Sequence, residues 1–209
     1  MPRVSNILVP IDIHENAVPI VQWAALFARA ASSQLTLLHV NESLEFLKDR
    51  PGLRGGGLSS LDMTLDTWRQ HYQQDTRAML ESLAQQYCHG LSVSPLILEG
   101  RAHATILGAI ETTRSDLVIM GTHGRPWYQR VFLGSTAEAV LRASAVPTLI
   151  IHNGESSLPP PRMRRMLTRL EMDNIFPTIV AKSTESVFHL QTSWQGKCRC
   201  RFWISCRVE

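Results

Sequence analysis

The sequence predicts an α/β fold, an open parallel sheet with helices on both faces, followed by an irregular C-terminal extension. Short, wholly apolar runs such as "NILVPI" and "DLVIM" alternate with longer segments of helical period as far as residue 152. A glycine-punctuated loop, "GTHGRPWYQRVFLGST" (121–136), joins the last full strand–helix pair. After residue 152 the alternation stops. Strand–helix alternation implies right-handed crossovers between parallel strands, and strands buried on both faces read as continuous apolar runs.

The elements follow in order. "NILVPI" (6–11) is the first strand. "NAVPIVQWAALFARAAS" (16–32) is a helix with Val21, Ala24, Ala25, Ala28 and Ala31 at helical spacing. Asn16 is the expected N-cap, and Pro19 is tolerated only in a first turn. "QLTLLHV" (34–40) is the second strand, with His39 expected to be a satisfied histidine in or near the core. The Gly-rich stretch 49–60 reads as a loop. A long helix is expected from about Ser60 to Tyr87, ending near Gly90. "LSVSPLIL" (91–98) is a third strand, placed at a sheet edge by Pro95. A helix at 103–114, a strand at 116–121, a helix at 136–144 and the strand "VPTLII" (146–151) complete the series.

Three regions follow: an α/β body (1–152), a Pro-rich linker (153–162) and a basic extension (163–209) too short to build a sizeable core. The net charge of +3 is unevenly placed. The body carries 12 Lys/Arg and 13 Asp/Glu, whereas residues 153–209 carry 9 and 5. A body so balanced argues against non-specific nucleic-acid binding. No apolar stretch approaches the roughly 20 residues of a membrane span. Four cysteines, three of them in the last twelve residues, fit a reducing, cytoplasmic setting. The C-x-C-x5-C spacing of Cys198, Cys200 and Cys206 matches no strong zinc pattern, so no metal site is expected.

The loop after the fourth strand has the makings of an anion site. Gly121 and Gly124 let backbone approach a ligand, and Gly134 precedes a helix start, where unpaired N–H groups favour negative charge. Ser135 adds a hydroxyl, and Arg125 and Arg130 add positive charge. The competing reading is self-contained: "STAE" (135–138) is a capping box in which Ser135 and Glu138 satisfy the helix terminus without a ligand. No P-loop and no G-x-G-x-x-G fingerprint after the first strand is present.

The run "VIMGTHGRPWYQRVFLGSTAEAVLRASAVPTLII" resembles the carboxyl-terminal signature of the universal stress protein family. Gly121, Gly124, Gly134 and Ser135 fit the G-x2-G-x9-G-[ST] spacing of its nucleotide-binding members, and "ILVPID" and "LTLLHV" resemble its first two strands. The resemblance covers about residues 3–152. It implies five parallel strands in the order 3-2-1-4-5, with Asp12 and Gly121 on opposite lips of one crevice. It also implies ATP as ligand, with or without Mg2+. Pro10, Ile11, Asp12 and Val40 would then meet base and ribose. Met120, Gly121, His123 and Gly124 would line the nucleotide, with Arg125 beside them. Gly134, Ser135 and Thr136 would hold phosphates. Two departures stand out: "IHEN" after Asp12 is bulkier than usual, and Pro126, Trp127 and Tyr128 stiffen the loop.

The resulting expectation is a cytoplasmic stress-response protein that binds ATP and regulates an unidentified protein partner, through ligand-coupled ordering of residues 122–134. No catalytic residue is assigned, and any hydrolysis would be slow. By resemblance it would be a homodimer paired through the 146–151 edge, unless the tail folds back over that edge. Two alternatives are a nucleotide-free dimeric module that recruits through its basic tail, and a slow ATPase or self-phosphorylating protein using Ser135 or His123.

Overall fold

The structure, a computed structural model, describes residues 4–13, 17–42, 58–121, 134–151, 188–194 and 198–205. Its elements are β1 (Asn6–Pro10), α1 (Val18–Ala31), β2 (Gln34–Asn41), α2 (Leu58–Tyr87), β3 (Val93–Glu99), α3 (Ala102–Thr112), β4 (Leu117–Gly121), α4 (Ser135–Ala143), β5 (Thr148–Ile151), β6 (Phe188–Trp194) and β7 (Cys198–Ser205). One sheet orders them β3-β2-β1-β4-β5-β7-β6. The first five strands are parallel and in the expected order 3-2-1-4-5.

Alternation along the strands divides the core in two. Ile7, Val9, Leu35, Leu37, Leu117, Ile119, Leu149 and Ile151 face α1 and α2. Leu8, Leu38, Val118, Met120 and Ile150 face α3 and α4. Each fully buried Ile, Leu or Val stabilises the fold by about 1.5–3 kcal/mol relative to exposure. Trp23 of α1 is 1% exposed and packs against Phe27 with ring centroids 6.3 Å apart. Pro19 occupies the first turn of α1, where its missing N–H costs nothing. The helix starts later than Asn16 would have it. Ala17 is the N-cap, with no side-chain bond, and Asn16 lies outside the described residues.

At the amino-terminal end of the sheet, the Asp116 carboxylate accepts the N–H groups of Ser5 and Asn6 at 2.7 and 2.9 Å. The end of α2 is closed from outside the helix: Arg29 of α1 donates to the Tyr87 and His89 carbonyls at 3.0 and 3.3 Å. Gly90, at φ 76°, then turns the chain back towards β3. Pro95 sits on β3, the edge strand, in register with Leu37.

The extension is not irregular throughout. β6 and β7 form an antiparallel pair, and β7 joins β5 with Thr148 opposite Ser205 and Ile151 opposite Phe202. The outer edge of β5, assigned by resemblance to a second copy, is thus taken by the chain's own tail. All four β5 residues are buried. An apolar edge strand left bare is a template for association, and β7 satisfies its backbone groups within the molecule.

Candidate functional site

A crevice opens between the carboxyl ends of β1 and β4, and the backbone of β1 explains why. Even-numbered residues of β1 direct their backbone polar groups at β4: the Asn6 carbonyl accepts the Asp116 N–H at 2.8 Å. Odd-numbered residues face β2, as when Ile11 N–H donates to the Leu38 carbonyl at 2.9 Å. Pro10, an even position, has no N–H to offer β4. The β1–β4 register accordingly ends at Leu8 opposite Val118, whereas β1–β2 continues to Pro10 and β4–β5 to Gly121. The strands part where the sheet order reverses, the position at which open α/β sheets take ligands.

The cavity there has a volume of about 140 Å³. Pro10, Ile11 and Asp12 form one lip, and Met120 and Gly121 the other, with Val40 on the wall and Thr136 at the start of α4. These are seven of the twelve residues singled out from the sequence. Gly134 and Ser135 precede Thr136 and are not among the lining residues. His123, Gly124 and Arg125 lie outside the described residues, as do Arg130 and the Pro126–Tyr128 run.

The α4 terminus is built differently from a capping box. Gly134 is the N-cap, at φ 83° and ψ 145°, and Ser135 is already the first helical residue. The Gly134 carbonyl accepts the Glu138 N–H at 2.9 Å. The Glu138 carboxylate turns away to Arg142, one turn along, at 2.8 Å. A backbone conformation reserved to glycine lets the helix begin one residue early. The Glu138 side chain is therefore engaged along the helix, and the N-cap itself offers no side-chain acceptor to the first-turn N–H groups.

Several lining residues went unnoticed in the sequence. Leu38 and Ile106 add apolar wall on the α3 side. Glu42 lines the cavity while its carboxylate accepts the Ala102 N–H at 2.6 Å, serving α3, whose N-cap Arg101 makes no side-chain cap bond. His39 is 4% exposed with both ring nitrogens engaged, as a satisfied core histidine should be, and it also lines the cavity. Only Glu42 had a local signal, as an acidic residue just past the end of a strand on the ligand side of the sheet. Among the described residues no helix is long and apolar enough to cross a membrane, and no cluster of three or more His, Cys, Asp or Glu could hold a metal ion.

Comparison with known proteins agrees with this architecture. Residues 4–152 match the model of the universal stress protein family. Universal stress protein MJ0577 of Methanocaldococcus jannaschii is 24% identical over 156 residues, covering 72% of this chain and 96% of its own. The solved structure of MJ0577 superposes with a TM-score of 0.59 at 23% identity, over 74% of this chain and 100% of that one. A universal stress protein solved in complex with cAMP reaches 0.50 at 16% identity, over 73% of this chain and 100% of its own. With the family model spanning most of its length and the crevice at the expected strand reversal, this chain belongs to the universal stress protein family.

Proposed function

We propose that this protein binds an adenine nucleotide, ATP, in the β1–β4 crevice and acts as a nucleotide-dependent regulator. The observation that carries the reading is the start of α4. Its glycine N-cap and the engaged Glu138 leave the helix terminus available to an anion, beside a cavity with Asp12 on its far lip. Asp12 is exposed, as a carboxylate that accepts ribose hydroxyls should be. Val40, Leu38, Ile106 and Met120 offer an apolar slot for a base. Gly134 to Thr136 then take phosphates, with Mg2+ carried by the triphosphate, and His123, Gly124 and Arg125 complete the loop side. A relative of the same fold solved with cAMP is consistent with an adenine ligand.

The chemistry at hand supports regulation over turnover. The cradle offers backbone donors but no P-loop lysine, so positioning is supplied without an evident apparatus for phosphoryl transfer. Nucleotide occupancy would be read by a partner through residues 122–134. The test is to purify the protein, denature it, and identify by chromatography what is released, beside an Asp12→Ala variant. Stoichiometric adenine nucleotide from the parent and little from the folded variant is expected. A parent that is empty, and that takes up no added ATP, sinks the proposal.

A further inference from the structure

Ile11, whose carbonyl lies in the peptide that leads to Asp12, is held on both sides from two consecutive residues of β2. Leu38 accepts the Ile11 N–H at 2.9 Å, and the His39 ring meets the Ile11 carbonyl through Nδ1 at 3.2 Å. A carbonyl only accepts, so Nδ1 carries the proton. In the neutral ring Nε2 is then an acceptor, and the group beside it is the Tyr72 hydroxyl of α2, 3.0 Å away, which donates. The two rings lie 6.2 Å apart, tilted by 44°.

Tyr72 is fitted to donate. Burial pushes its phenol above the ordinary value of 10.0. The nearby Thr76 hydroxyl opposes this in smaller measure, and the Asp12 carboxylate adds a rise smaller still. The phenol therefore keeps its proton at neutral pH. The influence of Asp12 on Tyr72 also places the carboxylate and the hydroxyl within one electrostatic neighbourhood.

Peptide planarity gives the link its effect. Fixing the Ile11 carbonyl fixes the plane of the Ile11–Asp12 peptide as far as the Asp12 N and Cα, and so the point from which the carboxylate leaves the strand. We infer that Tyr72, acting through His39, is a positioning residue for Asp12 and sets how strongly the crevice selects ligands by their ribose hydroxyls. The inference rests on the nucleotide reading above. Tyr72 is not among the residues lining the cavity. Its contribution is to orientation, transmitted from a helix 33 residues further along the chain from His39.

Calorimetric titration with ATP and with 2′,3′-dideoxy-ATP separates positioning from general stability. The parent should favour ATP by about tenfold or more, the value of a hydrogen bond to a charged acceptor. Tyr72→Phe keeps the ring and loses the hydroxyl, so the preference should shrink to within about threefold through weaker ATP binding alone. His39→Asn retains a donor for Ile11 but drops Tyr72, and the double variant should lose no more ATP affinity than the weaker single one. An unchanged preference in Tyr72→Phe, or an equal loss for both ligands, overturns the inference and leaves nucleotide binding standing. A parent that binds neither ligand overturns the nucleotide reading and the selectivity with it. The strut itself is then decided without ligand, by amide exchange: Ile11 should exchange at least about fivefold faster in Tyr72→Phe while Leu8 does not. Equal protection of Ile11 in parent and variant overturns the strut.

Discussion

Replacing Gly134 by alanine separates a ligand cradle from a well-made turn. At φ 83° and ψ 145°, Gly134 occupies a region that residues with a Cβ avoid. Alanine there costs about 1–3 kcal/mol if the backbone stays in place. The strain remains local, because Ala137, Val140 and Leu141 keep α4 on the sheet. For a body of this size each kcal/mol lowers the thermal midpoint by about 2–4 °C, so a fall of roughly 2–12 °C is expected. If the backbone relaxes instead, the helix start shifts and Ser135 becomes free to cap it, which closes the terminus to an anion. Gly90 supplies the control. It has φ 76°, open space where a Cβ would stand, and a position at the opposite end of the sheet from the crevice. Thermal denaturation of parent, Gly134→Ala and Gly90→Ala, each with and without ATP, reads both effects. ATP at a hundred times its dissociation constant should stabilise the parent by about 2.7 kcal/mol. Gly90→Ala should keep that increment, and Gly134→Ala should lose most of it. A Gly134→Ala protein that is destabilised like Gly90→Ala yet retains the full ATP increment would refute the reasoning.

Two further expectations concern the rest of the molecule. Truncation after Leu158 removes β7 and bares the edge of β5, so light scattering should show association in the truncated protein but not in the full chain; a monomeric truncation would mean that β5 needs no cover. Burial raises the Cys88 thiol above its ordinary 9.0, with Arg29 acting in the opposite, smaller sense. The folded state thus holds a proton that the unfolded chain releases above pH 9.0, and that stability is present below 9.0 and lost as pH rises through the folded value. Thermal midpoints of Cys88→Ala should fall less steeply than the parent's on the alkaline side, and parallel profiles would contradict the burial effect.

The strands were legible because a parallel sheet buried on both faces leaves short apolar runs that little else explains. "DLVIM" and "LTLLHV" became β4 and β2 with ends moved by about one residue. The crevice was legible in part, since Pro10 and Asp12 close one strand and Gly121 another. Ser135 misled, because a capping-box pattern is also satisfied by a helix that begins one residue earlier when a glycine permits it. Tyr72 was out of reach for a different reason. Its partner lies 33 residues away, and no local period signals a side chain that serves another element. The β6–β7 pair left no clear alternation to read, and its place beside β5 is a long-range pairing that no local pattern announces.

That edge has a history in time as well as in space. β5 ends at Ile151 and β7, the strand that covers it, ends at Ser205. At a synthesis rate of about 5–20 residues per second, β5 waits several seconds for its neighbour to be made. The parallel sheet is thus complete, with its last apolar strand open, before the cover exists. The nascent chain passes that interval with an apolar strand edge open to association, so slow translation of the Pro-rich connection would lengthen the exposure and quick translation would shorten it.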